Sequence, residues 1–371
     1  MAVIIDTQYM QLALELAKRG MGFVNPNPLV GAVIVKDGLV IGQGWHERFG
    51  AAHAETVALA NCALSPVGAT MYVNLEPCCH WGKTPPCSEQ IIAAGISRVV
   101  IGAKDPNPLV AGGGAKVLRR HGITVEEGLL LGECEKLNEV FFHYIKTATP
   151  FVVMKYAMSL DGKTAAYTGK SRWITGEKAR KRVHQDRHRY MAIMVGVGTV
   201  LADDPLLTSR TENGKNPLRI ICDTNLRLPL NSQIVKTAGQ VSTVIATACQ
   251  DPAKQDPYKL KGCEFLELSL AKNHIDLKEL LIQLGQREID SVLLEGGPTL
   301  NWSALHSGIV NIVHAYIAPK LLGGHNAPTP VMGDGKEDPG QAFQLVNSRI
   351  INLDGDILIE SEVLKNVHRN N

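Results

Sequence analysis

The sequence predicts an α/β protein of two domains. Its 371 residues exceed the roughly 100 to 200 that one core usually organises. Apolar runs of strand length alternate with amphipathic helical stretches in both halves, the pattern of layered α/β domains. Five of the eight cysteines precede residue 135 and the other three are scattered beyond residue 220. We place the boundary at the polar turn "KTATP", which gives domains 1–147 and 148–371.

The bulk composition favours a globular protein, which we expect in the cytoplasm. Hydrophobic residues make up 45% and charged residues 20%, and 38 Lys and Arg face 36 Asp and Glu. This near balance leaves no strong positive field for nucleic acid. The N-terminal stretch "MAVIIDTQYM" has no basic region, and no apolar run approaches the ~18 residues of a membrane span. Cytoplasmic thiols stay reduced, so the clustered cysteines indicate metal binding or catalysis rather than disulfides.

In the first half, helical and strand patterns alternate. Asp6 can cap a first helix that Gly20 ends. "VGAVIVKDGLVIGQG" then predicts a hairpin that turns at Asp37-Gly38. Such alternation favours parallel pairing, with ligands beyond the carboxyl ends of the strands. The remaining predictions are helices at 54–64, "SEQIIAAG", "AKVLRRHG" and 131–145, and strands at "TMYVNL" and "SRVVIGA".

The second half repeats this alternation and ends in a hairpin. The segment "FQLVNSRIINLDGDILIES" predicts two antiparallel strands that turn at Asp354-Gly355. Before it, strands are predicted near 151–158, 191–196, 217–223, 241–248 and 291–295, and helices near 177–189, 276–285 and 298–306.

The segment "EPCCHWGKTPPC" at 76–87 predicts a metal site. Zinc deaminases combine H-x-E with P-C-x-x-C, and "HAE" at 53–55 supplies the first element. Here eight residues, not two, separate Cys78 from Cys87. A catalytic zinc keeps three protein ligands and leaves the fourth position for water. Cys79 or His80 could instead close a structural site, although adjacent residues of an extended segment point to opposite sides, which would turn Cys79 toward the core.

These motifs resemble the deaminase half of the bifunctional riboflavin-biosynthesis deaminase/reductases. The resemblance rests on "CxHxGKTPPC", "NPNPLVGAVIV", "AHAE" and "DPNP". It implies a cytidine-deaminase-like zinc domain in which His53, Cys78 and Cys87 bind Zn²⁺ and Glu55 moves protons. It also implies a substrate pocket, for which turn formation beside proline is the alternative at three positions. The pocket residues are Asn27, His46, Lys83, Thr84, Asp105 and Asn107. "VAGGGA" departs from the family by lacking a basic residue between its glycines.

The second half resembles the reductase half of the same enzymes. "YAMSLDGKTA", "SRWITG", "GTVLADDPLLTSR" and "LLEGGPTLN" carry this resemblance. It implies a dihydrofolate-reductase-like domain, and the absence of G-x-G-x-x-G argues against a Rossmann fold. "EGGPTL" would present a helix N-terminus to the pyrophosphate of NADPH. The implied cofactor-binding residues are Ala157, Trp173, Thr199, Asp203 and the 296–303 loop with Gly296, Gly297, Pro298, Thr299, Leu300 and Asn301.

The same resemblance assigns the reductase substrate. Lys155 is a candidate proton donor, and two arginines suit a phosphate. Arg187 lies in "ARKRVHQDRHR", which could also be a solvated basic face. The implied substrate-binding residues are Ser171, Arg187, Leu207, Arg210 and Glu295.

The sequence therefore predicts a bifunctional enzyme. We expect zinc-dependent deamination of 2,5-diamino-6-(5-phosphoribosylamino)pyrimidin-4-one, then NADPH reduction of its ribosyl group to ribityl. The partner is a small phosphoribosylated pyrimidine, with no nucleic acid, and we expect a homo-oligomer. One alternative is a tRNA deaminase with an attached binding domain. Another is a second half that only binds nucleotides as a regulator.

Overall fold

Two separate β-sheets organise the chain. A computed structural model describes residues 2–81, 85–107 and 112–364. The chain divides into unit 1, Met1–Ala148, and unit 2, Thr149–Asn371. No helix in the described ranges is long and apolar enough to cross a membrane.

Unit 1 is a five-stranded sheet with helices on both faces. The sheet order is β2-β1-β3-β4-β5; β1 is antiparallel to β2 and β3, and the other neighbours are parallel. Alternate residues of each strand enter different cores: Ala32 and Ile34 pack on one face, Val33 and Val35 on the other. The elements are α1 Ala2–Lys18, β1 Gly31–Lys36, β2 Leu39–Trp45, α2 Ala54–Ala60, β3 Thr70–Leu75, α3 Cys87–Ala93, β4 Arg98–Ala103, α4 Gly113–Arg120, β5 Thr124–Glu127, α5 Leu131–Leu137 and α6 Glu139–Thr147.

The β1–β2 hairpin confirms the prediction from Asp37-Gly38. Both residues adopt positive φ angles, 49° and 77°, as a tight turn of this kind requires. Two other predictions for unit 1 are wrong. Asp6 does not cap α1 but lies inside it, where its carboxylate pairs with Arg98 at 2.7 Å. The helix predicted over 131–145 is two helices, because Asn138 lies between α5 and α6 and binds the backbone of Leu29.

Unit 2 is built on a nine-stranded sheet. Its order is β10-β9-β8-β7-β13-β6-β14-β16-β15, parallel except at β14–β16 and β16–β15. The final hairpin is confirmed, whereas α8, α10, β10 and β14 were not predicted. The main elements are β6 Phe151–Ser159, α7 Glu177–Arg189, β7 Ala192–Gly196, α8 Val197–Asp203, β8 Leu218–Cys222, α9 Gln233–Lys236, β9 Thr243–Thr247, α10 Pro252–Lys259, β10 Cys263–Glu267, α11 Leu277–Gln286, β13 Ser291–Leu294, α12 Pro298–His306, β14 Ile312–Ala318, β15 Leu345–Leu353 and β16 Asp356–Val363, with the short pair β11 Leu270–Ala271 and β12 His274–Ile275 after β10.

Candidate active sites

The start of α2 carries the H-x-E motif. His53 is the N-cap residue of α2 and Glu55 lies in its first turn, 3% exposed. Two glycines of β2 let this helix pack directly on the sheet. A Cβ on Gly42 would lie 2.5 Å from the carbonyl oxygen of Ala58, and one on Gly44 2.5 Å from the nitrogen of Ala58. The alternating glycines of "VIGQGW" therefore fix the height of His53 and Glu55 above the sheet.

Three of the predicted ligands converge on one point. The Nδ1 atom of His53 lies 3.3 Å from Sγ of Cys87 and 3.6 Å from Sγ of Cys78. Tetrahedral zinc, with bonds of about 2.0–2.1 Å to nitrogen and about 2.3 Å to sulfur, places such atoms about 3.6 Å apart. All three ligand atoms lie within 4.8 Å of one another. The donor set therefore fits zinc.

The pKa values of the two ligand thiols, Cys78 and Cys87, shift in opposite directions. A hydrogen bond from Cys87 lowers the pKa of Cys78 to about 4, and the pKa of Cys87 rises because it donates that bond. Two adjacent thiolates repel each other, and a divalent cation between them would remove that cost. Burial raises the pKa of Glu55. A carboxyl group with a raised pKa beside such a cluster is suited to taking and returning protons.

Cys79 and His80 lie outside the ligand cluster. Over the described ranges, the group that could hold an ion contains only His53, Cys78 and Cys87. Cys79 is half-buried, and its Sγ atom would lie 2.6 Å from a Cβ placed on Gly113 in α4. Its sulfur therefore packs toward the first turn of α4, not into either apolar core cluster of the unit. This arrangement favours a site with an open fourth position.

Asn27 and His46 form a hydrogen-bonded pair beside His53. His46 accepts through Nε2 from Nδ2 of Asn27 at 3.2 Å if its Nδ1 donates to the carbonyl of Ala52 at 3.0 Å. The His46 ring meets the His53 ring edge-on, with centroids 5.7 Å apart. Burial lowers the pKa of His46, so this imidazole is suited to a neutral contact rather than to a phosphate charge.

The predicted pocket residues after β4 form a tight turn. Oδ1 of Asp105 accepts a hydrogen bond from the backbone nitrogen of Asn107 at 2.8 Å, which is the turn geometry anticipated for these residues. Burial raises the pKa of Asp105 to about 6. Lys83 and Thr84 lie outside the described residues.

A buried ion triad occupies the centre of unit 2. Arg187 of α7 makes two hydrogen bonds of 2.8 Å to the Glu295 carboxylate, through Nε and Nη2. Nζ of Lys155 on β6 lies 3.8 Å from the same carboxylate. Nη1 of Arg187 also donates to the carbonyl of Thr208 at 3.2 Å. The structure thus brings together three predicted residues that are 32 and 108 positions apart, and it engages Arg187 with a protein carboxylate instead of leaving a solvated face.

The members of the triad shift one another's pKa values. Burial would raise the pKa of Glu295, but Arg187 and Lys155 outweigh it and lower the pKa to about 2. Burial lowers the pKa of Lys155, a shift that Glu295 opposes and Arg187 reinforces. A lysine whose pKa is lowered gives up its proton more readily near neutral pH.

The start of α12 provides a close backbone surface for a cofactor. A Cβ on Gly297, the N-cap residue, would lie 3.2 Å from Oγ1 of Thr199 in α8, and one on Gly296 would lie 2.9 Å from Cδ2 of Leu300. Thr199 and Gly297 are therefore neighbours, and the helix N-terminus can receive a phosphate. Pro298 and Thr299 form the first turn of α12. Asn301 is buried and donates to the carbonyl of Pro330.

The other predicted residues of unit 2 border these features. Oγ of Ser171 donates to Asp203 at 2.9 Å, so a predicted substrate residue touches a predicted cofactor residue. Trp173 is 62% exposed, with the guanidinium of Arg180 4.6 Å from its ring centroid. Arg210 is exposed, Leu207 is buried with φ of 54°, and Ala157 lies half-buried on β6.

The sequence analysis missed one buried cation, Arg219, which lies next to the predicted substrate residue Leu207. Arg219 of β8 is 0% exposed and donates to the carbonyl of Leu206, next to Leu207, at 3.2 Å. Because Arg219 lies within an apolar strand pattern, the sequence gave no indication that its side chain would bind the backbone of neighbouring loops. Its other partners are the carbonyls of Ile234 and Val241 and the hydroxyls of Thr237 and Thr243.

The fold and the two clusters define a zinc-dependent deaminase joined to a reductase. Two family models match the chain: the cytidine and deoxycytidylate deaminase zinc-binding region over residues 4–103, and the RibD C-terminal domain over residues 150–358. The riboflavin biosynthesis protein RibD of Actinobacillus pleuropneumoniae is 54% identical over 359 residues, covering 97% of this chain and 96% of the relative.

Solved structures give the same result. RibD of Acinetobacter baumannii matches 98% of this chain and 100% of its own, at 38% identity and a TM-score of 0.87. A diaminohydroxyphosphoribosylaminopyrimidine deaminase/5-amino-6-(5-phosphoribosylamino)uracil reductase of Thermotoga maritima matches with the same coverages, at 38% identity and a TM-score of 0.85. The chain belongs to the RibD family. It is a bifunctional deaminase and reductase of riboflavin biosynthesis, with Zn²⁺ and NADPH as cofactors and a phosphoribosylated pyrimidine as substrate.

Proposed function

We propose that each activity belongs to one unit, with the boundary near residue 148. Unit 1 performs the hydrolytic deamination and unit 2 the reduction of the ribosyl group. The observation that carries this proposal is the separation of two chemical clusters. His53, Cys78 and Cys87 converge beside Glu55 in unit 1, whereas Lys155 meets Glu295 in unit 2.

In the deaminase unit, His53, Cys78 and Cys87 would hold the zinc ion. Zinc bound there acts as a Lewis acid and makes water nucleophilic near neutral pH. Glu55 takes the proton of the attacking water, passes it to the ring nitrogen, and then protonates the departing amine. The products are ammonia and a ring carbonyl. The raised pKa of buried Glu55 supports this role.

Polar groups around the cluster would hold the deaminase substrate. The Asn27–His46 pair adjoins His53, so it would contact the pyrimidine close to the reacting carbon. Asp105 and Asn107 would contact it from the turn after β4. Lys83 and Thr84 complete the proposed pocket by the family resemblance.

In the reductase unit, bound NADPH supplies a hydride to C1′ of the ribosyl group. The bond from C1′ to the ring oxygen breaks, and that oxygen takes up a proton. Lys155 would donate this proton, consistent with its lowered pKa. Glu295 and Arg187 orient Lys155 and would contact the substrate together with Ser171, Leu207 and Arg210. The exposed guanidinium of Arg210 is the more available of the two arginines for the phosphate, because Arg187 is paired with Glu295.

For the cofactor, Thr199 and the 296–301 backbone would receive the pyrophosphate. Gly296 and Gly297 lack the Cβ atoms that would obstruct its approach. Asp203, Trp173 and Ala157 would border the rest of the cofactor.

The remaining expectations concern surroundings and partners. A cytoplasmic location is part of the proposal, and none of the eight cysteines, each within the described part of the chain, forms a disulfide. Sedimentation would test the expected homo-oligomer. Tight tRNA binding with a steep salt dependence would contradict the proposed absence of nucleic-acid partners.

The direct test compares Glu55→Gln with Glu47→Gln, which changes an exposed glutamate nearby. We expect Glu55→Gln to keep one zinc per chain and to lose ammonia release by at least about 100-fold, because general acid–base catalysis contributes about that much or more. NADPH oxidation with the deaminated intermediate, followed at 340 nm (the usual NADPH absorption wavelength), should match that of Glu47→Gln. Full ammonia release by Glu55→Gln would refute the assignment.

A further inference from the structure

We propose that Glu76 is a positioning residue of the deaminase site, an inference that rests on the function proposed for unit 1. Glu76 follows β3 directly and stands two positions before the ligand Cys78. It is 3% exposed. It is absent from the ligand cluster found over the described ranges, so a role in metal binding does not explain its burial.

Backbone amides from two other segments surround the Glu76 carboxylate. Oε2 accepts from the nitrogen of Gly112 at 2.9 Å and from that of Asp105 at 3.4 Å. Oε1 accepts from the nitrogen of Ala115, in the first turn of α4, at 3.0 Å. Hydrogen bonds to an ionised acceptor are stronger than neutral ones, and a helix N-terminus favours negative charge. The carboxylate thus joins the segment that leads from β3 to the ligand Cys78 with the 105–107 turn and with α4.

The glycines at 113 and 114 make this close approach possible. A Cβ on Gly114 would lie 2.0 Å from the carbonyl oxygen of Pro77, and one on Gly113 2.6 Å from Sγ of Cys79. The first turn of α4 therefore presses against Pro77 and Cys79, on either side of the ligand Cys78. Glycine is required at 114 by the backbone of Pro77, whereas a side chain at 113 would require only the Cys79 side chain to move.

The arrangement predicts which step depends on Glu76. Within the described ranges, the hydrogen bonds of Glu76 go to the backbone of Asp105, Gly112 and Ala115, so we assign it no part in proton transfer. It fixes the distance between the loop of Cys78, which holds the metal, and the turn of Asp105 and Asn107, which is proposed to hold the pyrimidine. Loosening that distance would weaken binding of both metal and substrate more than it slows the reaction of bound substrate.

The test uses the full-length protein with Glu76→Gln, and Glu89→Gln as a matched control. Glu89 is an exposed residue in the first turn of α3. A glutamine at 76 keeps one acceptor oxygen but turns an NH₂ group toward backbone donors. We expect the Kd for zinc, measured by competition with a chromophoric chelator, to rise about tenfold or more. At saturating zinc, KM for the deaminase substrate should rise about tenfold while kcat changes less than about threefold.

Reductase activity in the same chain reports whether unit 2 remains intact. If Glu76→Gln prevents folding of unit 1, Glu76→Asp decides by the same criteria, since its shorter carboxylate keeps the charge but reaches fewer amides. A variant that melts at lower temperature yet keeps the zinc Kd and KM of Glu89→Gln would overturn the proposal and leave a purely structural residue. If wild-type protein itself released no ammonia, the proposed function of unit 1 would fail instead.

Discussion

The two units stabilise buried charge beside their functional loops in opposite ways. In unit 1 the carboxylate of Glu76 is surrounded by backbone N–H groups. In unit 2 the guanidinium of Arg219 is surrounded by backbone carbonyls and threonine hydroxyls. Each charge fixes loops that lie next to proposed site residues, Asp105 in one unit and Leu207 in the other. The comparison shows that backbone dipoles can satisfy a buried carboxylate, whereas the buried guanidinium uses threonine hydroxyls as well as backbone carbonyls.

The Lys155–Glu295–Arg187 triad follows a different rule, because its charges compensate one another. A charge that is hydrogen-bonded to peptide groups stays stabilised as long as the backbone keeps its conformation. A charge that is paired with other side chains stays stabilised only while each of those side chains remains ionised. Proton-transfer chemistry benefits from the second arrangement, since the pKa of one member depends on the charges of the others. Loop positioning benefits from the first.

The largest expected effect comes from breaking the triad with Glu295→Gln. The substitution leaves two buried cations without their shared counterion, so the free energy of unfolding of unit 2 should fall by about 3–5 kcal/mol. Glu295 raises the pKa of Lys155, so its loss should lower that pKa further. The basic limb of the reductase kcat/KM profile would then move to lower pH, which rate measurements against pH would detect.

Glu264→Gln is the matched control for this variant. Glu264 pairs with Arg287 at 3.0 Å on an exposed surface, where such pairs are worth about 0–1 kcal/mol. An unchanged basic limb in Glu295→Gln would contradict the role of Lys155 as the proton donor.

A smaller effect is expected from Arg219→Met. Methionine fills part of the space, but the carbonyl groups that now accept hydrogen bonds from Arg219 would lose their donors. We therefore expect the free energy of unfolding, measured by denaturant titration, to fall by about 3 kcal/mol. Arg219→Lys should lose less because one ammonium can still reach some acceptors. A loss no greater than that of Arg287→Met, which breaks the exposed surface pair, would show that the buried hydrogen bonds contribute little.

The smallest expected effect concerns how the stability of unit 1 depends on pH. Burial raises the pKa of Asp105 to about 6, so the folded state binds a proton that the unfolded state releases near pH 4. The stability contributed by protonated Asp105 is present below about pH 4 and is lost as pH rises through about 6. With solvent screening this amounts to about 1–2 kcal/mol.

Asp105→Asn should remove that dependence. Thermal denaturation of wild type and variant from about pH 4 to about pH 6.5, from near the unfolded-state pKa to just above the folded-state pKa, gives the comparison. Groups that do not interact with Asp105 titrate in both proteins and cancel in the difference. A difference in stability that does not change with pH would contradict the raised pKa.

Local signals in the sequence were sufficient for part of the fold. Asp37-Gly38 and Asp354-Gly355 each predicted a hairpin, because turns with positive φ impose few demands beyond the turn itself. Strand β5 escaped prediction because "TVEE" has almost no buried side chain. Helix α10 escaped because Pro252 and Pro257 both lie within it. Asn138 ends a helix through contacts with Leu29, 109 positions away, which no local pattern encodes.

The candidate sites divide in the same way. The family resemblance implied His53, Cys78 and Cys87 as ligands and Glu55 beside them, and the structure brings the three ligands together. The sequence analysis also named Lys155, Arg187 and Glu295, but not that Glu295 binds the other two. It gave no indication of Glu76 or Arg219, because most of their partners are backbone groups that every residue possesses.

Gly113 has a consequence for how the zinc site could be altered. The sulfur of Cys79 occupies space that a side chain at position 113 would need. Any side chain at position 113 would require this sulfur to move, a movement that rotation of the Cys79 side chain can supply. Position 113 therefore offers a way to alter the surroundings of the zinc ligands while every ligand stays in place.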